Sequence, residues 1–199
     1  EDPKKTKGIV KRGVVKIITP GTFVDSNSNL ENDNTYLMAI YEDEEKIGLA
    51  LSDISTGEFK TTSFKNIRMS LLDEIAKVNP KEIIVDINAD EKLINDIKGI
   101  CPALITKKDF NTFFVSMHEL KMQFSDLEAS GLDKERELTS RVLLKYINET
   151  QMMSLTNINL LEQYDIINYM TIDSNSRRNL ELTESIREKT KKGSLLWVL

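Results

Sequence analysis

Two almost unbroken apolar runs, residues 36–41 (Tyr-Leu-Met-Ala-Ile-Tyr) and 47–54 (Ile-Gly-Leu-Ala-Leu-Ser-Asp-Ile), flank the acidic tetrapeptide Glu42-Asp43-Glu44-Glu45. Runs this short, with no polar alternation, suit strands that are covered on both faces. The charged tetrapeptide belongs in water, so the runs are predicted to form a hairpin at the centre of a sheet. Ser55-Thr56-Gly57 then turns the chain into a third strand over 58–64, whose mixed polarity points to a sheet edge.

Helical spacing follows. Ile67, Leu71, Ile75 and Val78 share one face, and Pro80 closes that helix. Ile83-Ile84-Val85 reads as a buried strand. Asn88, with Glu91 three residues on, is placed to cap a helix whose apolar face is Leu93, Ile94 and Ile97. Residues 103–106 read as a fifth strand. The order β-β-β-α-β-α-β, with the meander first, resembles ribonuclease H-like folds: an α/β class with a mixed sheet and flanking helices.

Beyond Asp109 the pattern turns helical. Residues 113–124 form a short amphipathic segment with Phe113, Phe114, Met117, Leu120 and Phe124 inward and His118, Glu119 and Lys121 outward. Asp133 is placed to cap a long helix that buries Leu138, Val142, Leu143, Tyr146 and Ile147 and ends near Gln151. Residues 152–168 are irregular, as a crossing segment would be. Upstream, 14–19 reads as a strand stopped by Pro20-Gly21, and the Asn- and Ser-rich stretch 25–34 reads as a linker.

Composition narrows the chemistry. The 199 residues are 40% apolar, enough for a real core, and no apolar run approaches the roughly 20 residues of a membrane span. No secretory signal opens the sequence, so a cytoplasmic location is expected. One cysteine and one histidine leave no Cys/His metal cluster. A net charge of −5 opposes a general phosphate-binding surface, although Lys4, Lys5, Lys7, Lys11, Arg12 and Lys16 make the N-terminal stretch basic. That stretch is read as a solvated strand and linker, with DNA contact as the alternative.

A metal-dependent nuclease would need paired carboxylates, and Asp53 with Asp86 is the one pair the strand pattern offers. Asp53 in Asp-Ile-Ser-Thr-Gly is more simply a turn residue. His118 has no serine or cysteine nucleophile placed for it and is read as a surface residue. Cys101 is read as a small apolar filler. Arg177 and Arg178, about 100° apart on a helix, cannot clamp one phosphate together, and ion pairs with Glu181 or Glu184 are expected instead.

Three stretches carry a family resemblance. They are 15–22 (Val-Lys-Ile-Ile-Thr-Pro-Gly-Thr), 51–59 (Leu-Ser-Asp-Ile-Ser-Thr-Gly-Glu-Phe), and 146–151 (Tyr-Ile-Asn-Glu-Thr-Gln) with the 169–182 stretch that ends Ser-Arg-Arg-Asn-Leu-Glu-Leu. In this order and spacing they closely resemble the MutS family of bacterial DNA mismatch-repair proteins, over nearly the whole chain.

The resemblance implies a non-catalytic middle segment. Residues 1–22 would be the tail of a mismatch-recognition domain with its linker, 23–168 a connector domain, and 169–199 the truncated start of an all-α core or lever domain, with Asp173 as a helix cap and Trp197 on a helix that is cut off. Such a connector would couple mismatch recognition to the core and ATPase, with hinges at 25–34 and 156–168, and would offer a docking face to MutL. His118, Glu119, Asn148 and Glu149 are the expected docking residues.

The further partners implied are the other domains of the parent, mismatched DNA through that parent, and a second copy in a parent homodimer. ATP and Mg would belong to the parent alone. The sequence has no Gly-x-x-x-x-Gly-Lys-Ser/Thr phosphate loop, since Lys191-Lys192-Gly193-Ser194 has the wrong spacing, and it lacks the family's Phe-x-Glu mismatch wedge. No cofactor and no enzymatic activity are therefore expected of the chain itself.

Overall fold

The computed structural model describes residues 16–22, 34–125, 127, 131–152, 155–166, 172, 174–188 and 190–199. The basic residues Lys4 to Arg12, the linker 25–33, Tyr169 and the Asp173 cap lie outside these.

The hairpin forms as the apolar runs require. β1 (Tyr36–Glu42) and β2 (Lys46–Asp53) pair antiparallel from Tyr36↔Asp53 to Glu42↔Ile47. The acidic turn closes through Asp43 N donating to Lys46 O at 2.8 Å. Both faces of the pair are covered, which explains why hydrophobicity does not alternate along it. Leu37, Ala39 and Ala50 belong to one core cluster, and Met38, Ile40, Ile47, Leu49 and Leu51 belong to the other.

β3 (Glu58–Lys65) pairs antiparallel with β2, while β4 (Glu82–Asp86) and β5 (Leu104–Lys108) add parallel on the far side of β1. A two-residue β6 (Glu162–Gln163) completes a six-stranded mixed sheet in the order β5-β4-β1-β2-β3-β6. Helices α1 (Arg68–Val78) and α2 (Glu91–Ile100) cover one face with Leu71, Ile75, Leu93 and Ile97. Helices α3 (Met117–Gln123) and α4 (Lys134–Gln151) cover the other with Leu120, Val142, Leu143 and Ile147. Each of these side chains is fully or almost fully buried, and each such burial is worth roughly 1.5–3 kcal/mol, so both helical layers are needed to keep the sheet out of water.

Several expectations are corrected. β3 is not a bare edge, because β6 pairs with it in parallel at Lys60↔Glu162 and Thr61↔Gln163. The cap of α2 is Asp90, whose Oδ1 accepts Lys92 N at 3.0 Å; Asn88 instead sits in the turn held by Asp86 Oδ1 at 2.8 Å. β5 begins at Leu104 and runs to Lys108. Residues 16–19 are not a strand. The helix expected over 113–124 begins only at Met117, because the Asp109 carboxylate holds a preceding turn through Asn111 N and Thr112 Oγ1. Asp133 does cap α4, accepting Arg136 N at 3.0 Å.

The expected hinge after α4 is tied down as far as Ile166. Asn157 Nδ2 donates to Ile54 O at 2.7 Å, and Gly57, at φ 79°, is glycine because a Cβ there would collide with the Asn157 carbonyl. Gln123 Nε2 donates to the carbonyls of Leu155 and Ile158. The Tyr164 hydroxyl donates to Glu74 Oε1 at 3.0 Å, and Arg136 pairs with Asp165 at 3.0 Å. Two short helices, α5 (Ser174–Asn179) and α6 (Leu195–Val198), follow, and Trp197 on α6 is 59% exposed.

Candidate docking face

His118 and Glu119 occupy the outer side of α3, while Leu120 and Phe124 turn into the core. The helix starts where it does because of a reciprocal cap that sequence reading missed. Ser116 Oγ accepts Glu119 N at 3.2 Å, and Glu119 Oε2 accepts Ser116 N at 2.7 Å and Ser116 Oγ at 2.8 Å. The signal was in the sequence as Ser116-Met-His-Glu119. Those Ser116 bonds, backbone first, hold the Glu119 carboxyl below the usual carboxylate range, and the fields of Lys145 and His118 add to them.

Lys145 joins this helix to the next. Its charge acts on Glu119, and its Nζ stands 3.4 Å from Glu149 Oε1 one turn further along α4. Asn148 and Glu149 are exposed on the last turn of α4. Lys145 therefore pairs with Glu149, and its charge bears on Glu119 across the α3–α4 boundary. Arg141 staples the approach to α3, with Nε donating to Val115 O at 2.7 Å, Nη1 bonding Glu137 at 2.9 Å, and the guanidinium 4.3 Å from the Phe114 ring centre. The result is a charged, outward face on a fixed backbone.

The paired-carboxylate geometry is not formed. Asp53 lies beside Tyr36 at the start of β1, whereas Ile40↔Val85 puts Asp86 level with Tyr41 near its end. Five residues at about 3.3 Å each separate the two by roughly 17 Å, against about 4 Å between the metals of a two-metal site. Both carboxylates already hold turns. Asp53 accepts Ser55 N at 2.8 Å and Thr35 N at 3.1 Å, and Asp86 accepts Asn88 N at 2.8 Å and Phe110 N at 2.9 Å. Among the described residues, no three His, Cys, Asp or Glu side chains are grouped to hold a metal ion.

Other expected roles divide. Cys101 is 2% exposed, its Sγ donates to Pro80 O at 3.3 Å, and burial pushes its thiol up, as suits a filler. The arginine ion pairs are absent among the described residues. The Glu181 carboxylate instead accepts Ile186 N at 2.7 Å, and Glu181 itself turns left-handed at φ 48° after α5.

A buried carboxylate also escaped the sequence reading, which began the fourth strand at Ile83. Glu82 is fully buried and accepts the Tyr146 hydroxyl at 2.6 Å, Thr106 Oγ1 at 2.8 Å and Gly21 N at 3.2 Å. Burial, then the Glu82 bond, push the Tyr146 hydroxyl up to about 12.

These features define an α/β domain whose polar side chains, where their partners are seen, mostly serve turns, caps and joints. The family comparison agrees. Residues 35–159 match the family model described as MutS domain II. All 199 residues align at 78% identity with the DNA mismatch repair protein MutS of Clostridium botulinum (strain Eklund 17B / Type B), and at the same identity with that of Clostridium beijerinckii. The Clostridium perfringens protein of that name is 51% identical over 202 aligned positions. The chain belongs to the MutS family and carries its domain II. It spans 21% of the length of the first two relatives. Among the described residues, no helix is long and apolar enough to cross a membrane.

Proposed function

We propose that the chain is the connector of a mismatch-repair protein, coupling mismatch recognition on one side to the core and ATPase on the other, and docking MutL on the α3–α4 face. The observation that carries this reading is the solvent-facing set His118, Glu119, Asn148 and Glu149, with Lys145 paired to Glu149 and with Leu120 and Ile147 anchoring the two helices in the core. Charged faces of this kind steer association and set orientation. A sheet covered on both sides moves as one body, which suits transmission between domains.

The domain limits proposed are 1–22 for the tail of the preceding recognition domain, 23–168 for the connector and 169–199 for the start of the all-α core. The sheet is assigned to the ribonuclease H-like class because an antiparallel β1-β2-β3 meander is extended in parallel by β4 and β5 beyond β1. ATP, Mg, mismatched DNA and the second copy of a homodimer are contacts of the longer parent.

The test is direct. Purified MutL titrated over the immobilised 199-residue chain should give saturable binding that weakens with added salt. Binding equal to that on a blank surface would remove the docking role.

A further inference from the structure

The buried Glu82 has a partner outside the sheet and helices, in the segment that leads into the domain. Gly21 N donates to Glu82 Oε2 at 3.2 Å, and a Cβ at Gly21 would stand 2.8 Å from Glu82 Cβ and 2.9 Å from Leu37 Cδ1. Only glycine lets the backbone come this near. The turn that delivers it is locked by Thr19 N donating to Thr22 Oγ1 at 2.9 Å and Thr22 N donating to Thr19 O at 3.0 Å.

Both flanks of this turn reach the last turn of α4. Ile17 N donates to Thr150 O at 2.8 Å, satisfying a carbonyl at the helix end, and Gln151 Nε2 donates to Thr22 O at 3.4 Å. The attachment combines these hydrogen bonds with the burial of two small residues, Gly21 against Leu37 and Thr22. No residue of 16–22 belongs to either core cluster, and Ile17 and Ile18 are 44% and 63% exposed. A segment held by a few hydrogen bonds and two small buried residues, with no large apolar side chain in the core, opens at lower cost than the body it rests on.

We propose that residues 16–22 are a releasable latch seated on the Glu82 carboxylate, fixing the incoming chain to the end of α4 while docked and freeing it without unfolding the domain. A pull on the chain ahead of residue 16 reaches α4 through Thr150 and Gln151 while the latch is closed. Once it opens, that path is broken, and Glu82 keeps Tyr146 and Thr106 as its partners among the described residues. The latch thus decides whether movement of the preceding segment is passed to α4, which also carries Asn148 and Glu149.

Amide hydrogen exchange on the 199-residue chain tests this. The Ile17, Gly21 and Thr22 amides should exchange at least about tenfold faster than those of Met38 and Ala39 in β1, because they open locally. Gly21→Ala should accelerate the latch amides by a further factor of about ten and leave the β1 amides unchanged. Ile17→Pro, which removes one donor at an exposed position, should accelerate Gly21 and Thr22 in the same way. Latch amides as slow as those of β1, no response to either substitution, or loss of the whole fold in Gly21→Ala would overturn the proposal.

Discussion

Gly48 lies directly under the first turn of α4, so close that a Cβ on it would stand 2.5 Å from the carbonyl oxygen of Glu135. Backbone packs on backbone here, which sets the height of α4 above β2 and hence the position of Asn148 and Glu149, the proposed docking residues at its far end. Gly48→Ala should lower stability by about 1–3 kcal/mol in urea unfolding, because neither backbone can give way. Gly99, near the end of α2 with nothing within 4 Å of its added Cβ, is the control. Gly99→Ala should raise stability by up to about 1 kcal/mol through helix propensity. Equal effects at the two sites would show that close approach is not what Gly48 provides.

Asp133 predicts an acid dependence of known sign. Burial alone would raise its carboxyl, but the hydrogen bonds from Ser63 and Arg136 N, with the charges of Arg136 and Lys46, bring it below its ordinary value of 3.8. With the native value below the unfolded one, the unfolded chain binds more protons between the two. Asp133 therefore stabilises the fold above pH 3.8 and loses that contribution as the pH falls through the lowered native value. Asp133→Asn keeps a side chain suited to the cap and should flatten the stability curve in this acid window. An unchanged slope would mean the charge contributes nothing.

The Ser116 cap is testable by itself. Ser116→Ala should cost about 1 kcal/mol and raise the Glu119 carboxyl toward its ordinary range, since the side-chain bond is lost. A carbon-13 titration of the Glu119 carboxyl reads the second effect. An unmoved titration would show that the Ser116 Oγ bond to the Glu119 carboxyl does not form in solution.

The tie at the N-terminal margin should be visible in shortened chains. A chain spanning 23–168 should still melt cooperatively, because both core clusters and the side chains packed on them lie between Tyr36 and Ile166. A chain spanning 16–168 should melt at a higher temperature, as it regains the bonds of Ile17, Gly21 and Thr22. A broad transition in the shorter chain would place the domain edge elsewhere.

What was legible in the sequence was local. The hairpin, the helical spacing of Leu71 and Ile75 and the Asp133 cap all depend on residues within a few positions of one another. What was missed depends on distance along the chain or on very short pairing. Glu82 meets Gly21, Thr106 and Tyr146 at separations of 61, 24 and 64 residues, so nothing near it in sequence marks it as buried. β6 is two residues long and has no period to read. Asn88 and Asp90 both suit a cap, and the choice fell to Asp90 because Asp86 had already drawn Asn88 into its own turn. On the proposed docking face, the structure exposes His118, Glu119, Asn148 and Glu149, as the outward pattern predicts. The Lys145–Glu149 pair was not predicted, although its spacing of four was there to see.

The most direct test of the docking role uses the intact parent bound to mismatched DNA with ATP and measures MutL recruitment at several salt concentrations. His118→Ala combined with Glu149→Lys should reduce recruitment at least about tenfold, mainly through slower association, with mismatch affinity and ATP hydrolysis unchanged. Glu119→Gln, which retains an acceptor for the Ser116 cap, should give a smaller loss. Full recruitment by the double variant would contradict the account and move the MutL contact off the α3–α4 face.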